Sequence, residues 1–154
     1  MDSAGRYFVS CLCEVEPVPL PVSPNIVGVD VGLTHLAILS TGEKIDNSKH
    51  TARHAEKLAQ AQRRMSKKKK GSSNRAKAKR RVARIHARIA DARRDGLHKL
   101  STRLIRENGI VCIETLAVKD MVKNRSLSKA ISDAGWSELV RQLRYKGEWA
   151  GRRV

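Results

Sequence analysis

Aromatic residues make up only 3% of this 154-residue chain, which leaves little ring surface for stacking on bases or sugars. No apolar run reaches the about eighteen residues that crossing a bilayer needs, and the opening MDSAGRYF lacks a charged-then-apolar secretory pattern. No membrane role is expected. The three cysteines, Cys11, Cys13 and Cys112, form no C-x-x-C pair, so neither a zinc knuckle nor a disulfide framework is indicated. Acidic residues are also scarce, 15 against 32 Lys and Arg. A net charge of +17 is a self-repulsion that folded domains rarely carry without a polyanion to neutralise it, and it directs attention to nucleic acid.

That charge is concentrated. Between Arg53 and Arg94 stand 17 Lys or Arg and two acids, Glu56 and Asp91, so this segment holds +15 of the total. A solvated helix face normally alternates signs through i,i+4 pairs, and two acids cannot balance seventeen cations. The expected phosphate contacts are Arg63, Arg64, Lys67, Lys68, Lys69, Lys70, Arg75, Lys77, Lys79, Arg80, Arg81, Arg84 and Arg88. The segment contains no aromatic residue, so recognition through the backbone, with little sequence preference and steep salt dependence, is predicted.

Hydrophobic periodicity organises the rest. In FVSCLCEV, Val9, Cys11, Cys13 and Val15 alternate onto one face, which reads as a half-buried strand with core cysteines. EPVPLPVSP places four prolines together and reads as a linker over 17–25. IVGVD, HLAIL and EKI, separated by turn residues, predict a three-stranded antiparallel meander. A helix is predicted over 54–65 and another over 74–108, the latter with a Ser N-cap and a left-handed stop at Asn108-Gly109. IVCIE reads as a covered strand parallel to an earlier one. A last amphipathic helix starts at Trp136, capped by Asp133, with Trp136 and Trp149 packed on its apolar side. At Gly151 that helix breaks, and GRRV reads as the start of a strand at which the chain is cut off.

Two carboxylates interrupt this pattern. Asp30 closes one apolar strand and Glu114 another, and in α/β sheets the carboxyl ends of neighbouring parallel strands share an edge. Should the two strands be neighbours, paired oxygen donors would suit magnesium or manganese and support metal-assisted phosphodiester chemistry. The plainer alternative is a turn-forming Asp and a Glu where a strand leaves the sheet. Asp120 and Asp133 lie downstream as weaker candidates for a further ligand. His50 and His54 stand at i,i+4, but their cationic surroundings and the absence of a completing ligand favour surface histidines.

The stretches VGVDVGLTHLAILSTGEKI, AQRRMSKKKKGSSNRAKAKRRVARIHARIADARRDGLHKLSTRLI, IVCIETLAVKDM and AISDAGWSELVRQLRYKGEWAGRRV resemble, in order, consecutive parts of the insertion-sequence transposase family called OrfB or TnpB. Its members are RNA-guided DNA endonucleases with a RuvC, RNase H-like nuclease core. The resemblance implies an α/β fold with an RNase H-like mixed sheet, incomplete here, and a basic helical insert at about 53–108 within a partial nuclease domain at 26–154. Residues 1–16 would end a preceding β-rich domain. Asp30 and Glu114 would be catalytic magnesium ligands, and the basic hairpin would touch guide RNA and target DNA in a prokaryotic, nucleoid-associated setting. Family members continue into a four-cysteine zinc module and a third catalytic aspartate, neither present in this sequence. Weak metal affinity, and cleavage that is absent or very slow, are therefore expected. Two other functions compete. One is a non-catalytic nucleic-acid-binding remnant. The other is an actin-like ATPase fragment, suggested by GVDVG alone, for which the chain offers no second phosphate loop.

Overall fold

A computed structural model describes residues Met1–Val154. Six helices and four strands divide into two compact units, one formed by Met1–Glu14 with His50–Ala92, the other by Val15–Lys49 with Arg93–Val154.

The second unit contains the sheet. β1 (Ile26–Val31), β2 (His35–Leu39) and β3 (Lys44–Asp46) form the predicted antiparallel meander, and β4 (Ile110–Ile113) pairs parallel to β1, giving the order β3-β2-β1-β4. β-branched residues build β1 and β4 because they suit a pleated surface packed on one side. Val27, Val29, Ala37, Leu39 and Val111 point into a core closed by Leu97, Leu100, Leu104, Leu139 and Leu143. The leucines come from the end of α3 (Ser73–Glu107) and from α6 (Trp136–Ala150).

Only one face of the sheet is covered. Ile26 is 62% exposed, and Asp30, Ile38 and Cys112 are exposed with it. The expectation that IVCIE is covered on both sides is thereby corrected. β4 alternates like a strand with one wet face.

α3 and α6 are joined through polar groups as well as leucines. Ser101 and Gln142 are fully buried, and the Ser101 hydroxyl donates to Gln142 Oε1 at 2.9 Å. Lys146 Nζ donates to His98 O, Ser101 Oγ and Thr102 Oγ1 at 2.7–2.9 Å. All three ammonium protons are thus matched, although burial lowers the Lys146 pKa. One turn earlier, Glu138 accepts from Arg141 Nε and Nη2 and from Gln142 Nε2.

The first unit is the basic hairpin. α1 (His50–Arg53) leads into α2 (Ala55–Ser66), and α2 packs Leu58, Ala61 and Met65 against Val82, Ile85 and Ile89 of α3. Ser72 caps α3 as predicted, its hydroxyl accepting from the Arg75 amide at 3.2 Å. His54 Nδ1 lies 3.0 Å from His50 O, so this ring nitrogen is engaged by the local backbone.

Several local expectations are overturned. Residues 7–25 contain no regular secondary structure. Val9 is 89% and Leu12 103% exposed, and Cys11, Cys13 and Cys112 are all exposed. Alternation alone cannot make a strand, because the ladder needs a second chain segment and none lies beside residues 7–16. Trp149 is 60% exposed and meets Tyr145 edge-on, whereas Trp136 is buried. Asp133 lies inside α5 (Ser128–Ala134) and faces Arg93 at 3.6 Å. The junction before α6 is made instead by Gly135 in the left-handed region.

The stop after α3 also differs from the reading. Neither Asn108 nor Gly109 has positive φ. Asn108 Nδ2 donates back to Leu104 O, and Asn25 Nδ2 and Ser23 Oγ donate to Glu107 O, so side chains satisfy the terminal carbonyls. Gly109 is required for a different reason: its amide donates to Asn25 O at 2.9 Å, and a Cβ there would overlap the Ser23 carbonyl oxygen. At the other end Gly151 has φ +65 and turns the chain so that Arg153 bridges Ile110 in parallel. Strand-like pairing beside β4 thus begins where GRRV suggested.

Two stability outcomes follow from this packing. Gly109→Ala should destabilise the protein by about 2–3 kcal/mol, since two backbones cannot both yield; urea denaturation giving an unchanged midpoint would refute the close-approach argument. Glu138 has its pKa lowered from 4.5 to about 2, chiefly by the Arg141 guanidinium. A carboxyl depressed on folding stabilises fully above its unfolded value and loses that contribution as pH falls through the folded one. The stability gap between wild type and Glu138→Gln should therefore narrow as pH is lowered from 4.5 toward 2, and a constant gap would count against the interaction.

Candidate functional site

β1 and β4 run parallel with Ile26 opposite Ile110, Val27 opposite Val111, Gly28 opposite Cys112 and Val29 opposite Ile113. Asp30 follows Val29 in β1, and Glu114 follows Ile113, the last residue of β4. Neighbouring strands lie about 4.8 Å apart, and residues at one level of a parallel pair project to the same side. Strand alternation places Asp30 opposite in sense to the buried Val29, and Glu114 opposite in sense to the buried Val111. Both carboxylates are exposed, Asp30 on the wet face of the sheet and Glu114 just past the end of β4.

Neither one is neutralised by the protein. The ion pairs of the other acids run elsewhere: Asp120 with Lys123 at 2.6 Å, Asp133 with Arg93 at 3.6 Å, Glu138 with Arg141 at 2.7 Å. Asp30 and Glu114 take part in no ion pair and no side-chain hydrogen bond. Carboxylates left without a cationic partner in the chain are hard oxygen donors of the kind that suit divalent cations. Asp120 and Asp133, considered as further ligands, are committed to their own cations. No group of three His, Cys, Asp or Glu converges anywhere in the structure, so the pair stands alone.

The basic residues separate into two kinds. Arg63, Arg64, Lys67, Lys68, Lys69, Lys70, Lys77, Lys79, Arg80, Arg81, Arg84 and Arg88 are exposed on α2, its following turn and the first part of α3. Arg75 is half-buried, and its Nη1 donates to Met65 O at 3.1 Å and Lys68 O at 2.9 Å. Its guanidinium therefore fastens the hairpin turn, while the lysines around it stay free.

Two features escaped the sequence reading. In the first unit, Arg6 and Lys57 join Arg81, Arg84 and Arg88 around a cleft of about 500 Å³ containing one acid, Asp91. Asp91 and Asp2 both engage Arg6, and Arg84 Nε donates to Ala4 O, which holds the N-terminal turn against α3. No local signal joins Arg6 to this cleft, because Arg81, Arg84, Arg88 and Asp91 are distant from it in sequence. In the second unit, a cavity of about 260 Å³ opens next to Glu114, with Trp136, Ser137, Val140 and Arg144 of α6 in its wall. Helical periodicity marked Trp136 as core but could not show that it would line a cavity together with Glu114.

Against this geometry, comparison with known proteins is informative. The sequence profile of the family OrfB_IS605, described as "Probable transposase", matches residues 10–125. A Streptomyces pristinaespiralis protein named "Putative RNA-guided DNA endonuclease" is 57% identical over 153 residues, covering 99% of this chain and 38% of the relative. The Escherichia coli K12 protein "Putative RNA-guided DNA endonuclease InsQ" is 37% identical over 170 residues, covering 99% of this chain and 42% of the relative. A Mycobacterium tuberculosis protein with the same general name is 31% identical over 162 residues. The chain thus spans about two fifths of the length of these relatives. With three quarters of its residues matched by the profile, and near-complete alignment to relatives of the same description, this chain belongs to the OrfB transposase family of IS605-type insertion sequences.

Proposed function

We propose that this chain is the part of an RNA-guided DNA endonuclease that carries an RNase H-like (RuvC) sheet and a nucleic-acid-gripping hairpin. The single observation that carries this reading is the parallel register of β1 and β4, with Val29 level with Ile113, which, continued by one residue, would bring Asp30 and Glu114 side by side at the carboxyl edge. An antiparallel meander followed by a parallel fourth strand is the arrangement an RNase H-like sheet requires, which supports the finer fold assignment.

Asp30 and Glu114 supply hard, unpaired, exposed oxygens, so their chemistry fits magnesium or manganese rather than a soft metal. When bound there, such an ion supplies Lewis-acid activation of water for phosphodiester hydrolysis. The residues themselves orient the ion and, through their negative charge, hold it against a phosphate. The exposed cysteines and the scattered histidines do not form a zinc site.

With two acids and no third within the cluster, the ion is held weakly and DNA cleavage by this chain alone is absent or very slow. Binding without catalysis is the second reading, and the missing third acid favours it for the isolated chain. The partners are DNA and guide RNA in a bacterial cytoplasm, held by the exposed cations of α2 and α3 through their phosphates, without aromatic stacking. Long flexible Lys and Arg side chains on a helical scaffold can follow a phosphate backbone of any sequence.

Manganese binding, followed through broadening of its magnetic resonance signal, should be weak in wild type, lost in Asp30→Ala and in Glu114→Ala, and retained in Asp120→Ala. Binding that survives both of the first two substitutions would remove the ion from this edge. Plasmid nicking in magnesium should be negligible, and activity in wild type that vanishes in Asp30→Ala would overturn the expectation of inactivity.

Affinity for duplex or single-stranded nucleic acid should fall roughly a thousandfold between low and moderate salt. Lys68→Ala should lower the slope of log affinity against log salt by about one. Arg75→Ala should instead lower the melting temperature, because its guanidinium serves the turn. A flat salt dependence would rule out phosphate contact as the basis of binding.

A further inference from the structure

Neither Arg6 nor Lys57 is among the expected phosphate contacts, yet both line the cleft of the first unit with Arg81, Arg84 and Arg88. Its volume of about 500 Å³ lies within the roughly 300–1,000 Å³ of clefts that take small ligands. The three arginines recur every three or four residues and so form one stripe of α3. Lys57 joins them from α2 and Arg6 from the N-terminal turn. Buried Ala4 and Ile85 also line the cleft.

The N-terminal turn is fixed in place by hydrogen bonds. Asp2 Oδ1 accepts from the Ala4 and Arg6 amides at 2.9 Å, and Asp2 Oδ2 accepts from Arg6 Nε at 2.8 Å. Arg6 Nη1 donates to Asp91, and Arg84 Nε donates to Ala4 O at 3.2 Å. Gly5 has φ +82, a conformation that glycine adopts without steric cost. One wall of the cleft is therefore a built turn held against α3.

The acids Asp2 and Asp91 are both committed to Arg6. Lys57, Arg81 and Arg88 are exposed and make no ion pair or side-chain hydrogen bond, and the bond from Arg84 goes to a neutral carbonyl. Four cations thus line one cleft without an anion of their own. A cleft lined by one sign of charge focuses its field on the ligand. A phosphodiester brings a single negative charge, and a whole sugar separates it from the next along a strand. A triphosphate brings about four at neutral pH, with one oxygen between successive phosphorus atoms. The compact anion matches the concentrated charge of the cleft better than the strand does.

Resting on the reading that this hairpin binds nucleic acid through phosphates, we propose that the cleft is a site for a triphosphate group, carried by the 5′ end of an RNA transcript or by a free nucleoside triphosphate. Lys57, Arg81, Arg84 and Arg88 supply its cationic contacts. Arg6 shapes the wall, and the charge of Asp91 opposes binding.

The test uses the full 154-residue protein and two pairs of ligands. By fluorescence anisotropy, a short RNA with a 5′-triphosphate is compared with a 5′-hydroxyl RNA longer by about four nucleotides, which matches it in charge. By calorimetry, ATP is compared with AMP. Several exposed ion pairs of modest strength together should make each triphosphate bind about tenfold more tightly than its comparison ligand. The double variant Lys57→Gln and Arg88→Gln should remove that ratio. Lys68→Gln, a hairpin cation outside the cleft, should lower both affinities for RNA and keep the ratio. Asp91→Asn keeps an acceptor for Arg6 but loses the negative charge, and should raise the ratio. A ratio confined to the RNA pair assigns the site to a strand end, and one confined to the nucleotide pair assigns it to a free nucleotide. Ratios of one in both pairs overturn the proposal, as does a ratio undiminished in the double variant. The nucleotide pair needs no strand binding, so this inference and the reading of the hairpin as a strand-binding surface fail separately.

Discussion

Parallel pairing between β1 and β4 is the constraint on which the second unit depends. The two strands are far apart in sequence, and joining them in parallel requires a long crossover rather than a tight turn. The crossover contains α3, whose last turns return Leu97, Leu100 and Leu104 to the sheet. The same pairing sets Val29 level with Ile113, the residues just before Asp30 and Glu114. A one-residue slip in register would send one of these carboxylates into the apolar core, where an unpaired charge costs several kcal/mol. Core packing and the position of the acids are thus decided together, because Val27, Val29 and Val111 can be buried only if Asp30 and Glu114 are wet.

The distribution of charge follows a related logic. α2 and α3 bury a narrow apolar stripe, Leu58, Ala61, Val82, Ile85 and Ile89, and the remaining surface of the hairpin is occupied by cations. So many like charges on two packed helices oppose folding through mutual repulsion. The structure offsets little of this internally: Arg75 satisfies turn carbonyls, and Arg6 meets Asp2 and Asp91. The remaining cations face solvent, which is the electrostatic condition for a surface completed by phosphates.

α6 contributes in two ways. Its apolar side, Leu139 and Leu143, closes the core, while Ser101, Gln142 and Lys146 lock it to α3 through hydrogen bonds that leave no buried polar group of the three unmatched. Its first turn brings Trp136 against the loop after β4. The indole stabilises this corner by packing, and its nitrogen is buried there without a partner.

Local chemistry in the sequence determined a good deal. The β-branched runs, the turn residues between them, the Ser cap of α3, the glycine end of α6 and the basic block all act over a few residues, and each formed where expected. Asp30 and Glu114 were visible as charges at the ends of apolar runs. What the sequence could not decide were outcomes set by distant partners. The alternating run Val9 to Val15 formed no strand because hydrogen-bond ladders need a second segment. Gly109 was needed for the approach of Ser23 rather than for a left-handed turn, and Asp133 was taken by Arg93 from another helix. Which residues of β1 and β4 stand level was decided only by strand register, because register is a property of a pair of strands and is written in neither one alone.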